Sequence, residues 1–138
     1  MRRFISMASA GLILTVTLAS AAAAQSVIGE QEFQSHCAAC HGSDGKGNGP
    51  IIDFLRAPPA DLTAISARND GIFPFQAVYD TIADVNQTRG HGNSDMPIWG
   101  DRYNQEIIAQ QGEFATDGPA VSEAQARILS LVFFLATV

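Results

Sequence analysis

The pentad Cys37-Ala38-Ala39-Cys40-His41 limits this chain more than any other stretch. C-x-x-C-H is the attachment signature for c-type haem. Two thiols three residues apart on a helical turn can each form a thioether to one vinyl group of a porphyrin. The adjacent histidine then points its imidazole at the iron from below. Two other readings compete. A redox dithiol also uses C-x-x-C, but the strand-and-helix context of thioredoxin-like proteins is absent here. A zinc site needs four ligands, and Cys37, Cys40 and one or two histidines fall short of that number. The chain has 2 cysteines in all, which rules out a disulfide-dense scaffold. The expectation is one covalently attached haem c, with His41 as the proximal iron ligand.

The N-terminus suits a protein that acquires haem outside the cytoplasm. Residues 1–24 have the three parts of a secretory signal: Arg2 and Arg3, a short apolar run from Leu12 to Leu18, and Ala22-Ala23-Ala24 before Gln25. The apolar run is shorter than the roughly 20 residues that a membrane span needs. Cleavage near Ala24/Gln25 is therefore expected, leaving a domain over 25–138 with no membrane span and a periplasmic location. The chain of 138 residues carries a net charge of -6; without Arg2 and Arg3, six bases face 14 acids, a charge near -8. Such an acidic surface argues against nucleic-acid binding, which needs clustered Lys and Arg. Hydrophobic residues make up 46% of the chain, which argues against disorder.

The remaining chain reads as mostly helical, with no alternating strand pattern and no internal repeat. A short helix is expected over 28–39, with Phe33 as its largest apolar residue. Residues 42–49 (GSDGKGNG) form a glycine-rich loop that fails the Walker pattern, because Lys46 is followed by Gly47. Pro58 and Pro59 stiffen the next irregular stretch, after which Asp61 or Thr63 can cap a short turn. Phe75, Val78, Tyr79 and Ile82 predict a helix over 75–84. A further short helix is expected over 104–111. The clearest helix is the last. Ser122 and Gln125 match a capping box, and Ile128, Leu131, Val132 and Leu135 form an apolar stripe widened by Leu129, Phe133 and Phe134. The short helix near Phe33 is the candidate partner for that stripe.

Elimination narrows the second axial ligand. The chain after residue 24 contains one methionine, Met96, and three histidines: His36, His41 and His91. His36 directly precedes Cys37, cannot cross to the opposite haem face, and is expected to be a solvent-exposed helix residue. Met96 and His91 remain. An isolated methionine is usually core filler, but Met96 sits in a polar loop, Gly92-Asn93-Ser94-Asp95-Met96-Pro97. Histidine–methionine ligation is typical of electron-transfer haem proteins, because the thioether favours ferrous iron.

With these residues assembled, the chain over about 28–138 resembles the class I cytochrome c family, in particular its small bacterial single-haem members. The pentad carries most of the resemblance. Gly29-x-x-x-Phe33 looks like the family's N-terminal helix contact, and Phe134-Leu135 resembles its counterpart on the packing helix. Met96-Pro97-x-Trp99-Gly100 is similar to the methionine loop. The stretch from Pro58 to Thr63 matches a segment common in such proteins. The resemblance implies an all-α fold wrapped around haem, with one haem edge open to solvent. It implies that the carbonyl of Pro50 meets the proximal histidine, and that Trp99, Arg89 or Arg102 approaches the haem propionates. It places Met96 rather than His91 on the iron.

The function expected from this reading is a periplasmic single-haem electron carrier that transforms no substrate. Its donor and acceptor are redox proteins that present a basic or apolar docking patch. Two alternatives belong to other classes: a haem subunit of a larger dehydrogenase or oxidase complex, and a haem-based gas-binding sensor.

Overall fold

The computed structural model describes residues 27–83, 96–112 and 116–138. All regular structure among them is helical, with no strand. Residues 27–41 form α1, which ends in a π turn at Phe33–Cys37 and an α-helical turn at Ala38–His41. The 3-10 turns Ile52–Phe54 and Ala67–Asn69 follow, then α2 (Phe75–Ala83), α3 (Trp99–Gln111) and α4 (Asp117–Leu135).

Backbone chemistry explains how α1 ends. The last carbonyls of any helix lack intrahelical partners. Here the glycine-rich loop folds back and supplies donors: Gly47 N–H to His41 O at 2.7 Å, Gly49 N–H to Cys40 O at 3.0 Å and Ile51 N–H to Ala39 O at 3.3 Å. A side chain at Gly49 would meet Ala39 O at 2.2 Å, so only glycine permits this approach. The loop that superficially resembles a phosphate cradle is instead the cap of the cysteine-bearing turn.

The helices meet around one apolar core. Trp99, Tyr103 and Ile107, four residues apart, line the buried face of α3. Ala120, Ala124, Ile128, Leu131, Val132 and Leu135 line that of α4. Full burial of each large side chain contributes about 1.5–3 kcal/mol. The expected pairing of the first and last helices is present: the rings of Phe33 and Phe134 lie 5.4 Å apart. Gly29 provides the close approach, since a Cβ there would sit 2.1 Å from Ser130 O.

Several boundaries differ from the sequence expectation. The last helix begins at Asp117, with Thr116 as its N-cap, and Ser122 lies inside it, donating its hydroxyl to Gly118 O at 3.1 Å. The capping box is therefore not the start. Pro119 does not block the earlier start, because first-turn residues have no intrahelical N–H partner to lose. Leu129 and Phe133 stay exposed, so the apolar stripe is narrower than expected. The third helix begins at Trp99 rather than 104, because burial of Trp99 draws the preceding turn into the helix. The second helix is described as far as Ala83, and position 84 lies outside the described residues.

Candidate functional site

The helices and the irregular stretch before α2 line an open-sided cavity of about 310 Å³. Cavities of this order hold small ligands and cofactors. Its walls are mainly apolar: Phe33 from α1, Leu62 and Ile65 from the irregular stretch, Val78 and Ile82 from α2, and Leu131 and Leu135 from α4. Into this apolar space come the Cys37, His41 and Met96 side chains, with Trp99 beside them. A thiol, an imidazole and a thioether on one apolar cavity are donors of the kind that can hold a haem c. The residues fit that group.

The π turn contributes to this placement. Its marker is an N–H of Ala38 bonded to the carbonyl of Phe33, five residues back. The extra residue widens the turn at Cys37, whose side chain is buried. Desolvation, with smaller contributions from Glu32 and Cys40, pushes the Cys37 thiol up to about 12. Cys40 is half-buried and lies outside the cavity lining.

His41 is oriented from behind. Its Nδ1 lies 3.0 Å from the carbonyl oxygen of Ala60. A carbonyl only accepts, so Nδ1 is the donor in this contact, and the neutral ring in that tautomer has its Nε2 lone pair free for a metal. The Ala60 carbonyl is itself held in place. Asp61 Oδ1 accepts from Thr63 N–H at 2.9 Å and from the Thr63 hydroxyl at 2.7 Å, which is the cap expected for this turn. Those bonds, the Thr63 hydroxyl first, hold the Asp61 carboxyl below the usual carboxylate range. Leu62 N–H donates to Gly45 O at 2.7 Å, tying the segment to the glycine-rich loop.

This geometry corrects the assignment made to Pro50. Pro50 is exposed and outside the cavity lining, and the carbonyl at His41 belongs to Ala60. The glycine-rich loop spends its donors capping α1, which directs Pro50 outward. Arg102 is also outside the lining; it reaches Glu106 at 3.4 Å and stacks 5.2 Å over the Trp99 ring. Arg68 and Asn69 line the cavity instead, and Arg68 donates to Asp61 O at 2.7 Å. Arg89 and His91 lie outside the described residues. Sequence reasoning missed Ala60, Arg68 and Asn69; the proline pair followed by Asp61 and Thr63 was the available pointer to a rigid segment there.

The expectation for His36 also changes. Its side chain is 21% exposed, 3.4 Å from Glu32 Oε2. It stands edge-on to Trp99 at 5.3 Å and to Tyr103 at 5.4 Å. The widened turn rotates it inward against α3.

Among the described residues, no helix is long and apolar enough to cross a membrane. A family model described as cytochrome C oxidase, cbb3-type, subunit III matches residues 24–110, well over half of the chain. The chain is also similar to chloroplastic cytochrome c6 of Chlamydomonas reinhardtii, 29% identical over 106 residues. That alignment covers 77% of this chain and 63% of the length of the algal protein. No solved structure matches.

Proposed function

The chain is a class I c-type cytochrome, belonging to the family described as cytochrome c oxidase, cbb3-type, subunit III, and from that premise we propose an exported single-haem electron carrier with His41 and Met96 as axial ligands. When bound, the haem supplies a one-electron ferric/ferrous couple. The observation that carries the reading is the meeting of Cys37, His41 and Met96 on one apolar cavity, with Nδ1–H of His41 on Ala60 O. Cys37 and Cys40 form the thioether links. His41 would present Nε2 to the iron, with its ring held in orientation by the hydrogen bond to Ala60. Met96 would supply the second ligand, and its thioether would favour the ferrous state. The apolar walls exclude water and keep reorganisation small as the charge changes. Maturation removes residues 1–24, and the protein works in the periplasm without transforming a substrate.

Acid–acetone extraction of the purified protein tests attachment. Colour retained on the polypeptide, with an intact mass of the trimmed chain plus one haem, supports the reading. Haem in the organic layer overturns it. The ferric spectrum should carry the weak sulfur–iron charge-transfer band, and the ferrous protein should resist carbon monoxide. A carbon monoxide complex formed readily by the native protein would indicate the gas-binding alternative.

The description of the matched family favours a second reading, a fixed subunit of an oxidase complex. Size-exclusion of native extract separates the two. A carrier elutes near the mass of a single small chain, whereas a subunit co-elutes with its complex.

A further inference from the structure

One side chain joins three helices. Arg127, on α4, meets Glu32 of α1 through two bonds, Nε to Oε1 at 2.7 Å and Nη2 to Oε2 at 2.9 Å. Its Nη2 also lies 3.4 Å from His36 Nε2. Toward α3, the same group stacks 4.1 Å over the Tyr103 ring and places Nη1 3.5 Å from Glu106 Oε2. The pair is largely shielded, with side-chain exposure of 19% for Arg127 and 14% for Glu32. Shielded bidentate pairs hold geometry more firmly than exposed ones.

The helices joined in this way carry opposite sides of the site. α1 ends in Cys37, Cys40 and His41. α3 begins at Trp99, three residues after Met96, and its N-cap Ile98 makes no side-chain cap bond. The first turn of α3 therefore depends on its buried face, Trp99 and Tyr103, for position. Tyr103 is fully buried between Trp99, His36 and the Arg127 guanidinium.

We propose that Arg127, paired with Glu32, is a positioning residue that fixes the separation between the His41-bearing and Met96-bearing elements, and so governs how firmly Met96 holds the iron. This rests on Met96 being the distal ligand. Removing the guanidinium leaves both ligands in the chain but lets the start of α3 move away from α1. Met96 then dissociates more often, while the helices remain folded.

The test uses the haem-loaded protein and compares wild type with Arg127→Gln, with the milder Glu32→Gln, and with Val132→Ala. The last opens a void at a buried position of α4 outside the cavity lining and leaves Arg127 and Glu32 unchanged. Two quantities are read: carbon monoxide uptake by the ferrous protein, and loss of the sulfur–iron band on warming relative to loss of helical circular dichroism. Absence of the band from wild type would refute the Met96 reading and this proposal together. With the band present, Arg127→Gln should take up carbon monoxide about tenfold faster and lose the band well below its unfolding temperature. Glu32→Gln should follow in the same direction with a smaller change. Val132→Ala should lose band and helix together. If Val132→Ala loosens Met96 as much as Arg127→Gln does, or if both clamp variants keep wild-type uptake, Arg127 serves stability alone and the proposal fails.

Discussion

Replacing Gly29 by alanine sets helix propensity against packing, and the two predict opposite signs. Gly29 lies within the helical stretch 27–41. Alanine there should stabilise the helix by about 1 kcal/mol. The structure opposes this, because the added Cβ would sit 2.1 Å from Ser130 O, 2.7 Å from Ser130 C and 2.8 Å from Phe134 Cβ. The first two are backbone atoms, which no rotamer change can move aside. Restoring an ordinary contact requires α1 and α4 to separate by about 1 Å, and overpacking of this kind costs about 1–3 kcal/mol or more. The separation also weakens the neighbouring Phe33–Phe134 contact, 5.4 Å between centroids. Dispersion falls by about a quarter to a half over a gap of this size. The steric loss outweighs the propensity gain, leaving a net destabilisation of about 2 kcal/mol. At about 4 °C per kcal/mol for a domain of this size, the melting temperature should fall by about 8 °C. Thermal unfolding of the haem-loaded protein by far-ultraviolet circular dichroism measures it. An unchanged or higher melting temperature would show that the two helices do not cross at Gly29.

Met96→Ala should abolish the sulfur–iron band, lower the reduction potential and open the iron to carbon monoxide, whereas His91→Ala should leave all three nearly unchanged; the reverse pattern would make the site bis-histidine. Before haem attachment, burial holds the Cys37 thiol at about 12 against an ordinary 9.0. The unfolded chain then ionises first, so the contribution of this neutral thiol to the stability of the haem-free fold is fully present below about pH 9 and is lost as pH rises toward 12. Iodoacetamide should accordingly label Cys40 ahead of Cys37 at neutral pH, and equal labelling rates would contradict the burial argument. With six bases facing 14 acids after residue 24, electron transfer with an anionic redox protein should be slow at low salt and speed up as salt screens the repulsion, with a screening length of about 8 Å at physiological ionic strength. Stopped-flow rates across a salt series would decide this, and rates that fall with salt would locate a basic patch at the docking face.

Much of the architecture is written in side chains and was legible from them. The pentad pointed to a haem protein, because thioether formation and iron ligation demand particular atoms at particular spacing, and the family match agrees with that class. Phe33 and the stripe Ile128, Leu131, Val132 and Leu135 announced a helix pairing, because burial selects apolar residues at helical intervals, and all of them are buried. Met96 and Trp99 were singled out by their chemistry, and both line the cavity. What the tertiary structure alone decided concerns the backbone and the paths between elements. The oxygen that orients His41 belongs to Ala60, and every residue carries a carbonyl, so no side-chain type could distinguish it from that of Pro50. The choice followed from the glycine-rich loop capping α1 and from the Asp61–Thr63 turn beyond it. His36 has the polarity of a surface residue, yet a single widened turn rotates it against Trp99 and Tyr103. Arg127 and Glu32 are 95 residues apart, and a charge pair at that separation leaves no periodicity to read. Local sequence determines which helices form and which chemistry they carry, because propensity and donor type belong to each residue. Three-dimensional packing determines which backbone oxygen, ring edge or distant charge completes the site, because those partners are defined by where the chain passes.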